Sequence, residues 1–149
     1  MIGAYAVHDE AQQKFALVLA ADAVASSRLV KRAGEKWGEN AEIAVAHACF
    51  TDCRADDAVA QTVVQGDHAT VTFKTDAISP LLLVCEQGRW LIDVQGYIQL
   101  LGPDLPQAIK DSERFFPIAN SAEDQLSKGT YNSPDALVAD LNKQLQTNP

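Results

Sequence analysis

The stretch His68-Ala69-Thr70-Val71-Thr72-Phe73-Lys74 alternates apolar and polar residues without a break. Period two puts Ala69, Val71 and Phe73 on one side of an extended chain and His68, Thr70, Thr72 and Lys74 on the other. A strand of this kind covers a core with one face only and needs antiparallel neighbours. The neighbours are in the sequence. Val59, Val63 and Val64 precede it across Gln65-Gly66-Asp67. Pro80–Glu86 is a third extended run, Gln87-Gly88 a tight turn, and Arg89–Val94 a fourth strand. Runs joined by short Gly-containing links read as hairpins, and Thr75–Ser79 joins the middle pair. Residues 57–95 therefore read as a four-strand antiparallel meander.

Helical sequence flanks it. From Ala4 to Ala25 the chain is rich in Ala, Gln, Leu and Lys, all good helix formers. Phe15, Val18, Leu19 and Asp22 share a face that is mostly apolar. Ser26 or Ser27 caps a second helix carrying Leu29, Val30, Ala33 and Trp37, and Gly38 stops it. Asn40 caps a third segment, Ala41 to Cys53. After the meander, Gly102-Pro103 and Pro106 mark 96–106 as a loop. Leu105–Phe116 and Ala119–Ser127 are helical, with Pro117 as a break or a restart. Ser133-Pro134 opens a last helix, with Leu137, Leu141 and Leu145 on one face. The predicted fold is α+β: N-terminal helices packed on a curved antiparallel sheet, then a C-terminal helical extension over 104–146, all in one domain over 1–149.

Charge narrows the partners. The chain has 12 basic and 20 acidic residues, a formal net charge of −8. Such a surface repels phosphate backbones and anionic membranes, so no nucleic acid is expected as a partner. The densest basic group, Arg28, Lys31, Arg32 and Lys36, reads as a solvated helix face. The longest apolar run, Phe15–Ala21, falls far short of the ~20 residues of a membrane span, so no insertion is expected. No basic region followed by an apolar one opens the chain, so no signal peptide is expected in it. A cytoplasmic protein and a trimmed exported one both fit. The three cysteines are an odd number, which argues against a disulfide scaffold.

Two pieces of the meander are similar to a known pattern. Val63-Val64-Gln65-Gly66-Asp67-His68-Ala69-Thr70-Val71 resembles a V-x-G-D-x-A-T-V hairpin. Leu82-Leu83-Val84-Cys85-Glu86-Gln87-Gly88-Arg89-Trp90-Leu91-Ile92-Asp93 resembles L-V-K-x-x-G-x-W-K-I-D. Together they look like the end of the sheet in NTF2-like (cystatin-like, cone-shaped α+β) domains, over residues 57–95. The resemblance implies a bent sheet wrapped around a helix, with a pocket at the mouth of the cone. Members use that cone for binding, catalysis or dimerisation, so the fold does not choose among them. The helical tail after Pro103 is longer than a typical member needs.

The candidate site residues are few. Asp93 is the candidate acid or base, because it interrupts an apolar strand. Phe73, Trp90 and Asp93 are the candidate ligand contacts, though Trp90 reads first as a core residue. His47, Cys49 and Cys53 are candidate metal ligands by type and spacing, but Cys85 or His68 would have to bring a fourth ligand from the sheet, and His47 lies off the face that Cys49 and Cys53 share on a helix. Two buried small residues and one surface histidine explain the same pattern. Phosphate loops, a G-x-S-x-G elbow and H-E-x-x-H are absent, and no cofactor is expected. The favoured reading is a non-enzymatic small-ligand-binding or interaction module taking a small apolar ligand. The alternatives are an NTF2-like enzyme of isomerase, dehydratase or hydrolase type, and a structural domain that forms a homodimer.

Overall fold

The computed structural model describes residues 4–49, 59–74 and 80–147. The elements are β1 (Tyr5–Ala6), α1 (Glu10–Trp37), α2 (Glu39–Ala48), β2 (Val59–Gln65), β3 (His68–Phe73), β4 (Leu81–Glu86) and β5 (Arg89–Asp93). Then come α3 (Val94–Leu101), a 3-10 turn (Gly102–Asp104), α4 (Leu105–Ser127) and α5 (Pro134–Thr147). The fold is α+β. Its contacts divide the chain into two compact units: residues 1–20 with 53–109, and residues 21–52 with 110–149.

The first unit holds an open sheet of order β1-β5-β4-β3-β2. The expected meander is its bulk, because β2 through β5 pair antiparallel in sequence order. The β4–β5 link is a two-residue turn with positive φ at both Gln87 (51°) and Gly88 (75°), the geometry that matches the twist of a hairpin. The meander is not the whole sheet. Tyr5 and Ala6, too short a run to show any periodicity, pair parallel with Ile92 and Asp93 of β5. Phe15 and Ala16 of α1 and Val94 of α3 are buried together, with Tyr5, Leu19, Tyr97 and Ile98 packed against them.

The second unit is helical. Ala25, Leu29 and Ala33 of α1, Val45 of α2, Phe115, Ile118, Ala119, Ala122 and Leu126 of α4, and Leu137 and Leu141 of α5 form its core. Of the three leucines expected on one face of the last helix, Leu137 and Leu141 are fully buried and Leu145 is half-buried, and Ser133 Oγ accepts the Ala136 amide at 3.2 Å as its cap. Lys36 donates to the carbonyls of Leu126 and Tyr131 at 3.5 and 3.2 Å, a cation at the C-terminal end of α4. Arg32 lies 3.2 Å from Glu35 and 3.6 Å from Glu123, so much of the basic cluster is paired with acids.

Five boundaries differ from expectation. The helix expected from Ala4 starts at Glu10, because Tyr5 and Ala6 are taken into the sheet. The break at Ser26 does not exist: α1 is one helix of 28 residues. Ser26 is fully buried inside it and donates back to Asp22 Oδ1 at 3.2 Å, a bond to position i−4 rather than a cap. The expected loop over 96–106 is mostly helix. Asp93 caps α3, and the prolines sit where a missing N–H costs little, Pro103 early in the 3-10 turn and Pro106 in the first turn of α4. Pro117 does not interrupt α4, which carries it exposed in mid-helix. The third segment begins as expected near Asn40, but α2 ends at Ala48 with Cys49 as its cap, and the remainder up to Cys53 lies outside the described residues. Rather than lying with the strands, α2 gives Val45 to the helical core.

Candidate functional site

Strand register sorts the sheet residues of the first unit onto two faces, because residues directly opposite point the same way and neighbours along a strand point opposite ways. Val64, Ala69, Leu83 and Ile92 form one cross-strand row. Thr62, Val71 and Leu81 form the next row, and Cys85 pairs with Trp90. Phe73 follows Val71 at period two. By the same register the described strand residues on this face carry no carboxylate and no basic group, only the Cys85 thiol and the phenol of Tyr5, which pairs with Ile92. Trp90 is 46% exposed and Val64 58%; Ala69 is buried, and the others named here, apart from exposed Thr62, are half-buried. Trp90, which reads first as core in the sequence, is therefore a surface residue, and Phe73 shares its face.

The opposite face carries the charges. His68, Glu86, Arg89 and Asp93 point there by the same register. His68 lies between two carboxylates: Nδ1 is 2.8 Å from Asp67 Oδ1, within hydrogen-bond distance, and Nε2 is 3.9 Å from Asp93 Oδ2. His8 Nε2 lies 2.9 Å from Glu86 Oε1. Asp93 is 14% exposed, while His68 is 59% and Asp67 71%. Asp93 has a structural task as well. Its Oδ1 accepts the Gly96 amide at 2.8 Å, the cap of α3. Below it, the Tyr97 hydroxyl donates to the Pro80 carbonyl at 2.8 Å and accepts the Leu82 amide at 3.3 Å. Burial pushes the Tyr97 hydroxyl pKa above its ordinary value. Tyr97 therefore serves as a clamp between α3 and β4.

Asp93 and Trp90, grouped in the sequence as candidate ligand contacts, thus lie on opposite faces of the sheet. Their separation by three positions in an extended strand already dictates this. The sequence offers His68 only as a distant fourth metal ligand, not as a partner of Asp93. Its signal was the Asp67-His68 pair at the hairpin turn, on the same parity as Asp93 across the meander.

The metal candidates do not come together as a site. Cys49 is buried in the helical core, and burial together with the charge of Asp22 pushes its thiol pKa up to about 12. A thiol held protonated in this way is a poor ligand and a poor nucleophile. His47 is exposed on α2, and Cys53 lies outside the described residues. Among the described residues no group of three His, Cys, Asp or Glu side chains is placed to hold a metal ion. No helix among them is long and apolar enough to cross a membrane. Compared with protein-family models, with curated proteins and with solved structures, the chain matches none.

Proposed function

We propose that the chain is a small-ligand-binding or interaction module whose working surface is the uncharged face of the sheet. The observation that carries this reading is the apolar array of Val64, Ala69, Leu83, Ile92 and Trp90, with its two ends exposed. Exposed aromatic and aliphatic side chains grouped on one sheet face are the kind of surface that binds apolar partners. A small apolar ligand fits its chemistry, with Trp90 and Phe73 as aromatic contacts. The NTF2-like resemblance belongs with this proposal and is supported by the same four-strand meander.

The test uses Trp90 as its own reporter. In a Trp37→Phe background, Trp90 is the only indole. Titration with a neutral steroid or a medium-chain alcohol should shift its emission saturably, and Leu83→Lys should abolish the shift. A linear, non-saturating response that Leu83→Lys leaves unchanged would remove the reading.

A second reading, an enzyme of isomerase, dehydratase or hydrolase type, is favoured by one observation. His68 Nδ1 lies 2.8 Å from Asp67, a contact of the kind that orients a general base, and its Nε2 lies 3.9 Å from the Asp93 carboxylate, outside hydrogen-bond distance. Asp93→Asn keeps the cap on Gly96 and removes the charge. An activity that survives this change with its pH profile intact does not use the His68–Asp93 pair.

A further inference from the structure

Strand β2 is the outer strand of the sheet, with β3 on one side and no strand on the other among the described residues. Every side chain from Ala60 to Gln65 is exposed, on both faces. Natural edge strands are usually blunted by lysine, proline or an inward charge. Val59-Ala60-Gln61-Thr62-Val63-Val64-Gln65 has none of these, and its only irregularity is the register shift between Val59 and Gln61. Its outer row of backbone donors and acceptors is a template for one more strand.

Two features of this strand select the occupant. The first is charge. A chain of net −8 repels its own copies, and two copies can approach only across a surface free of carboxylates. The seven residues of β2 are such a surface. The second is self-complementarity. Gln61-Thr62-Val63-Val64-Gln65 reads nearly alike in both directions, as a two-fold contact requires. An antiparallel pairing centred on Val63 sets Val63 against Val63 and Gln61 against Gln65 on one face, and Thr62 against Val64 on the other. It also sets Asp67 of each copy beyond Val59 of the other, whereas a parallel pairing would bring the two Asp67 side chains together.

We propose that a second copy of this chain pairs through β2, antiparallel about a two-fold at Val63, to make one continuous sheet from two. The contact is a single strand wide, so it belongs with the small, reversible interfaces. It uses the strand edge and does not depend on what the apolar face binds.

Sedimentation of the full chain over the micromolar to millimolar range tests it. The wild-type chain should associate reversibly to a dimer, more tightly as salt screens the shared negative charge. Val63→Lys and Val64→Lys should each weaken the dimer by about tenfold or more. Leu17→Lys, an equally exposed position on α1, should leave it unchanged. All three variants should melt with the wild type, which separates lost association from lost folding. Val63→Cys should give a disulfide-linked dimer on mild oxidation, and Leu17→Cys should not. A chain that stays monomeric at every concentration overturns the proposal. So does a dimer indifferent to Val63→Lys, or a monomer that takes up extended peptides at β2 instead.

Discussion

Asp93 and Gly96 are fitted to each other: the Gly96 amide donates to Asp93 Oδ1 at 2.8 Å, and a Cβ on Gly96 would lie 2.5 Å from Oδ2. In an ordinary exposed helix, replacing Gly by Ala stabilises by up to about 1 kcal/mol. Here the sign reverses. Gly96→Ala forces the cap open and should lower the melting temperature. Asp93→Ala should cost about 0.5–2 kcal/mol, and Asp93→Asn less, because the amide oxygen still accepts the bond. Thermal melts of the three variants check this. A Gly96→Ala chain as stable as wild type would show that the close approach has no energetic weight.

Tyr131 is buried, and its hydroxyl donates to Asp140 Oδ2 at 2.6 Å. Gln144 Nε2 donates to the same oxygen at 2.7 Å, so Tyr131→Phe leaves Asp140 partly satisfied. The substitution should cost about 1–2 kcal/mol. Burial, with the acceptor Asp140 and its charge, raises the Tyr131 pKa above its ordinary 10.0. A raised pKa gives stability that is fully present below the unfolded value and is lost as pH rises through the folded one. The gap between wild type and Tyr131→Phe should therefore be constant through neutral pH and close only in strong alkali. Urea midpoints measured along that pH series decide it.

For Cys49 the readout is chemical. With its pKa near 12 instead of 9.0, the thiol is protonated at pH 8. Native protein should leave Cys49 unlabelled by iodoacetamide on the timescale that labels it fully in denaturant. Peptide mapping identifies the site. Cys49→Ser places a hydroxyl in the helical core beside Val45 and should cost about 1–3 kcal/mol.

Asp22 is a carboxylate half inside that unit. Burial raises its pKa, and hydrogen bonds from Ser112 and Ser26 offset this in part. The charged form is therefore disfavoured on folding. The stabilising contribution is present below the unfolded pKa and gone once pH rises through the folded one, so at pH 7 the group is a net burden. Asp22→Asn keeps an acceptor for both serines and should raise stability at pH 7 by less than about 1 kcal/mol, since the carboxylate keeps part of its solvent. The gain should vanish toward pH 3. The same substitution removes the charge that helps to raise Cys49, so native labelling of that thiol should quicken in alkali.

How much of this was legible depended on the range of the forces involved. The meander was readable because its signals are local: strict alternation over His68–Lys74 and two glycine turns at Gly66 and Gly88. So was the stop at Gly38, whose φ of 88° only glycine adopts easily. The pairing of β1 was not, because two residues carry no period and the parallel partner lies far along the chain. Ser26 misled for a physical reason. A serine before an apolar run caps a helix only if its backbone leaves the helix, and nothing between Glu10 and Ala33 is a glycine or a proline to make it leave. In the loop expected over 96–106, the prolines were weighed as breakers when they stood at helix starts. The candidate site was half readable. The parity of Asp93 and Trp90 followed from period two, but the approach of His68 to Asp93 across β4 is a tertiary event with no local signature.

The two compact units have a consequence for how the chain is made. Each is assembled from two stretches with part of the other between them. During synthesis, residues 1–20 emerge first and wait for the strands, while residues 21–52 wait longer still, until α4 and α5 leave the ribosome. The hairpins of the meander can close as they appear, since their partners are neighbours. The helical unit cannot complete the burial of Leu29 and Val45 until α4 and α5 have been made. These residues therefore stay without those partners while the whole sheet is synthesised. No single proteolytic cut can release either unit whole.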